Sequence, residues 1–381
     1  MRHHLLILLR NRPIGRSARA ARPAVRATDA SGSGAAATIN AGPGTAGPSR
    51  RAAGPGARHR SRGWSPQYAA AVTTPATGPQ RTARTESPRG FRFHARRPRP
   101  PLDRVVAQLW WADGQIPYVA DHLLPMPNAV LVVVLGDPFA TRAVDGGPAG
   151  LHRHGWFTGP RQGAVVNRPL GHTRAVGAIF RVGGAAAVLG VPARATTDAA
   201  IGIDDLLATG VPRLRDDLDA APTWQAALGA FEAFLRARLD PELGRLRRIE
   251  RAVAALSAPA PPSVRGLADD LGITVQHLAR EFRHWVGLSP RGIARLGRLR
   301  RLLDAVDTRA PVPWGTLAHR CGYADQAHLA RDFRALTGLT PTGYVRHRLE
   351  VFGPLPAGSQ PLFVPLTDDV HCVQDGGSPL A

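Results

Sequence analysis

Glutamine and arginine are the side chains best shaped to read a DNA duplex. In the major groove Gln pairs two-point with adenine and Arg with guanine. In this chain the arginines recur at matching steps of two similar stretches, and the glutamines within one step of each other. Gln276, Arg280 and Arg283 lie on one face of a helical pattern whose other face carries Leu278, Phe282 and Trp285. Gln326 or Ala327, Arg331 and Arg334 lie likewise opposite Leu329, Phe333 and Leu336.

The two stretches are one passage written twice. Residues 277–292 read HLAREFRHWVGLSPRG and residues 328–343 read HLARDFRALTGLTPTG, identical at ten of sixteen positions. A passage repeated this closely within one chain is one structural unit built twice. Upstream of each, SVRGLADDLGIT and PWGTLAHRCGYADQ place Leu-Ala on a short helix. A glycine follows, Gly272 or Gly322, where the backbone must turn left-handed. Short helix, glycine turn and second helix make a helix-turn-helix, whose second helix enters the major groove. In the first unit that helix runs from about Val275 to Val286, with Thr274 as its N-cap. On a single helix, solvated charge would be the plainer explanation of exposed arginine. Two copies, each behind a glycine turn, favour DNA.

Between the units, PRGIARLGRLRRLLDAVD (290–307) predicts one long helix. Ile293, Leu296, Leu299, Leu303 and Val306 form its apolar stripe, and Arg295, Arg298 and Arg301 lie off it. About 17 residues at 1.5 Å each span roughly 26 Å. That approaches the reach needed to set two recognition helices in successive major grooves, roughly 34 Å apart.

Charge divides the chain into zones. Residues 1–101 hold 19 Arg against Asp29 and Glu86, residues 102–247 balance 14 Arg with 14 acids, and residues 248–349 hold 16 Arg against 8 acids. From Glu350 onward there are four acids and no Arg. Lysine is absent throughout, which reads as codon bias, so the choice of Arg over Lys carries no argument at single sites. Two cysteines, Cys321 and Cys372, cannot build a disulfide framework and point to a reducing, cytoplasmic compartment. No apolar run reaches the roughly 20 residues that span a bilayer. The opening MRHHLLILLRNR has too short an apolar core for a secretory signal. Cys321, at the end of a short helix, reads as a buried structural thiol.

Residues 1–101, rich in Arg, Pro, Ala and Gly, cannot bury enough apolar surface to offset chain entropy, so disorder is expected there. Two readings are open for this segment: a basic arm on nucleic acid, or translation assigned upstream of the true start. Residues 102–247 form a second region. VVAQLWW (105–111), IPYVADHLL (116–124), AVLVVVL (129–135), GAVVNR (163–168) and RAVGAIFRV (174–182) read as strands between turn residues. After Gly184 the pattern becomes helical, with TWQAALGAFEAFLRARLD (223–240) strongly amphipathic. The fold class is therefore multidomain α+β: a β-rich domain with trailing helices, then an all-α domain over 248–349. Residues 350–381, rich in Pro and Gly, are expected to be a flexible tail.

Residues 248–349 resemble the AraC/XylS family of bacterial transcription regulators. The most specific stretch is CGYADQAHLARDFRALTGLTPTGY (321–344), with Gly322-Tyr323, Asp325-Gln326, Phe333-Arg334 and the turn at Gly338, Thr340 and Pro341. The resemblance implies a seven-helix domain on double-stranded DNA. It places base contacts at Gln276, Ala279, Arg280 and Arg283, and at Gln326, Ala327, Ala330 and Arg331. Ala279, Ala327 and Ala330 offer only methyl contact, and Asp325 substitutes as a cap where Ala324 replaces a common Ser. The resemblance further implies a cupin-like domain over 102–247 that senses a small molecule or dimerises, a monomer or homodimer, and RNA polymerase as a partner. An effector pocket would draw on Trp110, Trp111, Tyr118, Trp156 or Phe180. His122, His152, His154 and His172 lack the carboxylate spacing of a metal site, so neither metal nor cofactor is expected. No catalytic constellation stands out. The alternatives are a cupin-like binding protein or enzyme with an accessory DNA module, and a non-specific binder driven by the N-terminal arm.

Overall fold

The computed structural model describes residues 83–86 and 90–366, apart from residues 117, 145, 147–148, 208–209, 241–242 and 359–362. Its first half is two antiparallel sheets. The strands are β1 (Ala83–Glu86), β2 (Arg92–Arg96), β3 (Val106–Gly114), β4 (Ala120–Leu123), β5 (Val130–Val134), β6 (Phe139–Ala143), β7 (Gly150–His152), β8 (Gly155–Thr158), β9 (Val165–Pro169), β10 (Thr173–Phe180), β11 (Ala200–Gly202) and β12 (Phe363–Leu366). One sheet has the order β1-β2-β3-β10-β5-β8-β11 and the other β12-β4-β9-β6-β7.

Side-chain alternation assigns the faces. On β3 and β10, Leu109, Trp111, Val176, Ala178 and Phe180 face helices α1 (Gly184–Leu189), α2 (Ile203–Leu207), α3 (Val211–Asp219) and α4 (Trp224–Arg236). Leu228, Phe231 and Leu235 of α4 complete that layer, as its amphipathic pattern predicts. The opposite face packs on the second sheet, where Phe93 and Ala112 meet Leu123 and Phe363, and Trp156 meets Phe139.

Among the described residues the second half holds seven α-helices: α5 (Leu246–Ser257), α6 (Val264–Asp270), α7 (Val275–Glu281), α8 (Pro290–Ala305), α9 (Trp314–Arg320), α10 (Gln326–Thr337) and α11 (Pro341–Phe352). They share one core around α8, whose predicted stripe of Ile293, Leu296, Leu299, Leu303 and Val306 is buried throughout. α7 continues as a π-type turn over Phe282–Val286 and ends, like the expected helix, at Val286.

Two boundaries differ from the sequence-based expectation. Residues 1–101 are not one featureless segment. β2, at its end, pairs with β3, with Phe93 and Ala95 buried on it and Phe91 buried just before it. Arginines at 92, 96, 97 and 99 hid this strand, because long charged side chains can occupy the outer positions of a half-buried strand. The disorder expected for residues 1–82 and 87–89 lies outside the described residues. The tail after Glu350 is not loose throughout either. α11 runs on to Phe352, and β12 returns to the β domain as the edge partner of β4, with Val364 opposite His122. Val364 is fully buried in the helical core although its backbone belongs to the sheet.

Val364→Ala should therefore destabilise both halves together, by about 2 kcal/mol. It should shift the urea midpoints of the β and helical regions equally, read by tryptophan fluorescence and far-UV circular dichroism. Two separated transitions would contradict the shared packing.

Candidate nucleic-acid interface

Each recognition helix is started by its own side-chain cap. Thr274 Oγ1 accepts the His277 N–H at 3.1 Å, and Asp325 accepts the His328 N–H at 2.6 Å. The hydrogen bond from that N–H holds the Asp325 carboxyl below its ordinary range. Before each cap the chain turns through a left-handed glycine, Gly272 at φ 65° and Gly322 at φ 86°. Each helix ends on another, Gly287 at φ 78° and Gly338 at φ 73°.

The inward faces are as the spacing predicts: Leu278, Phe282, Leu329, Phe333 and Leu336 are buried in the helical core. Trp285 is only half-buried and bridges the helical core and the core of the β domain. The outward faces remain open. Gln276, Arg280, Arg283, Gln326, Ala327, Arg331 and Arg334 are exposed, and Ala279 and Ala330 are half-buried beside them. Arg280 also lies 3.1 Å from His277 Nδ1. The structure thus gathers the nine candidate positions on two exposed faces at equivalent places of two units.

The repeat extends further than the sixteen matched residues. The acid that differs conservatively between copies is in each case held by an arginine from the helix that opens the unit. Arg248 on α5 grips Glu281 with two hydrogen bonds, 2.8 and 3.0 Å, and Arg295 on α8 reaches Asp332 at 2.5 Å. Each unit is therefore three helices, α5-α6-α7 and α8-α9-α10. Arg301 donates to the carbonyls of Ser257, Ala258 and Cys321, tying the ends of α5 and α9 to α8. Arg295 and Arg301 are fasteners. Cys321 is buried, which raises its thiol pKa, in keeping with a structural role.

The five aromatic residues considered for an effector do not converge. Trp110, Tyr118 and Trp156 face the space between the sheets, whereas Trp111 and Phe180 lie on the opposite face against the helices. Adjacent residues of one strand cannot share a face, so Trp110 and Trp111 were bound to part. Polar residues accompany the inner aromatics. Asp121 sits opposite Asn167, and Asn167 opposite Thr141, across β4, β9 and β6. Thr141 Oγ1 is 2.8 Å from His152 Nε2, and the His152 ring lies 5.4 Å from that of Trp156. Oδ1 of Asp121 and Oδ1 of Asn167 are buried without a hydrogen-bond partner. Burial pushes the Asp121 carboxyl up to about 7, against hydrogen bonds from Tyr118 and Asn167. The only sequence trace of this cluster was a set of polar residues inside apolar strand patterns.

The four histidines weighed as ligands go separate ways. His152 meets Thr141, His154 meets Asp204 at 3.0 Å, His172 meets Asp113 at 3.0 Å, and His122 lies 2.6 Å from the Thr337 carbonyl oxygen. Burial lowers the His122 ring to about 4, so it is neutral and donates that bond. The β domain and the helices meet tightly around Trp285. A cavity there, lined by Phe157, Arg181, Thr196 and Trp285, measures about 10 Å³, room for about one water.

Residues 267–347 match a family model described as a helix-turn-helix domain. Residues 94–202 match one described as a domain of unknown function (DUF6597). No curated protein matches the chain. Among solved structures, ToxT from Vibrio cholerae strain SCE256 with a bound unsaturated fatty acid is 8% identical, with a TM-score of 0.36, covering 62% of this chain and 92% of that one. ToxT from strain O395 bound to (E)-4-(8-methylnaphthalen-1-yl)but-3-enoic acid is 9% identical at a TM-score of 0.36, covering 61% and 96%. The AraC-like transcriptional activator CuxR is 14% identical at a TM-score of 0.24, covering 59% and 86%. Likeness this distant carries no argument about ligands.

The raised Asp121 pKa predicts a pH dependence. The folded chain holds a proton that the unfolded chain releases between the ordinary value of 3.8 and about 7, so this group's stabilisation is lost as pH rises through that window. His122, lowered to about 4, acts in the opposite sense, losing stability as pH falls below 6.5. The contribution of Asp121 is isolated by difference. The stability of Asp121→Asn relative to wild type should grow from about pH 4 to about pH 7 in urea titrations and level off above that.

Proposed function

We propose that this chain, whose helical domain is that of an AraC/XylS-family regulator, binds double-stranded DNA sequence-specifically and regulates transcription. α7 reads one half-site with Gln276, Ala279, Arg280 and Arg283. α10 reads a second with Gln326, Ala327, Ala330, Arg331 and Arg334. Arg and Gln supply two-point hydrogen bonds, and the alanines supply methyl contact with thymine. The observation that carries this reading is the pair of exposed faces, each opened by a capped N-terminus behind a left-handed glycine. One chain presents both, so a monomer can span two half-sites.

The β domain is the sensor in this reading. A small-molecule effector with hydrogen-bond donors for Asp121 and Asn167 and a flat apolar part for Trp110 and Trp156 suits the space between the sheets. Regulation runs through RNA polymerase in the cytoplasm, with no catalysis by the chain itself.

Arg280→Ala and Arg331→Ala should each relax discrimination at one base step by about 1–3 kcal/mol. The measurement is the ratio of Kd values for duplexes selected by the wild-type chain and for scrambled ones. An unchanged ratio in both variants refutes the base-reading assignment. Removal of residues 1–82 should leave that ratio intact while making the salt dependence of binding shallower.

A further inference from the structure

At the two glycines that close the recognition helices the β domain approaches the helix backbone closely. At Gly287, Thr197 Oγ1 lies 3.1 Å from the glycine carbonyl and 3.1 Å from that of Ala193, so its one proton is shared between them. A Cβ on that glycine would lie 2.5 Å from the same hydroxyl and 3.0 Å from the Ala193 carbonyl. At Gly338, a Cβ would lie 2.5 Å from Val144 Cγ1, and His122 Nε2 donates to the neighbouring Thr337 carbonyl at 2.6 Å. The contacts fall at equivalent positions of the two repeats, 51 residues apart. They come from different parts of the β domain. Thr197 precedes β11 at the edge of the seven-stranded sheet, whereas His122 on β4 and Val144 after β6 belong to the five-stranded sheet.

We propose that Thr197 on one side, and His122 with Val144 on the other, are positioning residues that hold the two recognition helices at the separation required by a pair of DNA half-sites. Both grips are on the C-terminal ends of the helices. The N-terminal ends, which carry Gln276 and Gln326, stay exposed, so a gripped chain can bind DNA. α8 joins the units but packs each mainly through side chains. The β domain adds hydrogen bonds to backbone at the far end of each helix, where a small shift is levered onto the reading end. Because the grips hang from different sheets, a molecule lodging between the sheets would part the grips as it parted them. That extension rests on the effector reading; the positioning role does not.

The test uses the full chain and duplexes it selects from a randomised pool, each rebuilt at native half-site spacing, with one base pair added or removed, and as an isolated half-site. Thr197→Val with His122→Leu removes both donors with little change in volume. Thr197→Ser with His122→Gln keeps a donor at each place. Wild type and the donor-keeping variant should prefer native spacing by ~10-fold or more, because two rigidly related helices tolerate little register error. The donor-less variant should narrow that preference at least about threefold, the scale of a lost hydrogen bond, and bind isolated half-sites as wild type does. Val144→Ala, which loosens the Gly338 contact without touching a buried donor, should narrow it in the same direction. An unchanged spacing preference in both variants overturns the proposal. An equal loss on every duplex, isolated half-sites included, overturns it as well, since that places these residues in stability alone.

Discussion

Close approach at Gly287 and Gly338 is the constraint on which the arrangement of this molecule depends. Each recognition helix must stop in a left-handed turn, which glycine adopts without steric cost. Each turn must also admit an atom of the β domain where any other residue would place a Cβ. A single hydrogen satisfies both demands at once. The β domain, α7 and α10 thereby pack closely at these two turns. β12 adds to this packing by carrying the chain back to β4 and delivering Val364 into the helical core.

The same economy governs charge. Residues 248–349 hold 16 arginines, but they do not act as one basic surface. Arg248 and Arg295 hold the acids inside the two repeats, and Arg301 satisfies carbonyls at the ends of two other helices. A planar guanidinium with five donors suits carboxylates and carbonyls as well as phosphates and guanine. Residue type therefore overstates the charge available to DNA. Only position separates these fasteners from Arg280, Arg283, Arg331 and Arg334, which are exposed.

Most of the helical domain was legible because its signals are local. Thr274 and Asp325 cap, Gly272 and Gly322 turn, and the apolar steps recur every three to four residues, all within a dozen positions of one another. The central strands β3, β5 and β10 were legible as long β-branched runs. β2, β6, β7, β8 and β12 were not. They are three to five residues long, and two of them sit in Arg-rich or Pro-rich surroundings. A strand that short exists because a neighbour accepts its backbone hydrogen bonds, and that neighbour is distant in sequence.

By itself, then, the sequence determined the doubled helix-turn-helix unit and its exposed faces, since each follows from spacings shorter than one such unit. Tertiary structure alone decided which aromatic residues face the space between the sheets and which arginines are spent on fastening. It also decided that the tail returns as a strand, and that the β domain meets both recognition helices at their closing glycines. These outcomes depend on groups brought together from far apart in the chain, 33 residues between Arg248 and Glu281 in the first repeat and 242 between Val364 and His122 in the sheet. Over such distances no periodicity survives, and only packing and hydrogen-bond satisfaction choose the partner.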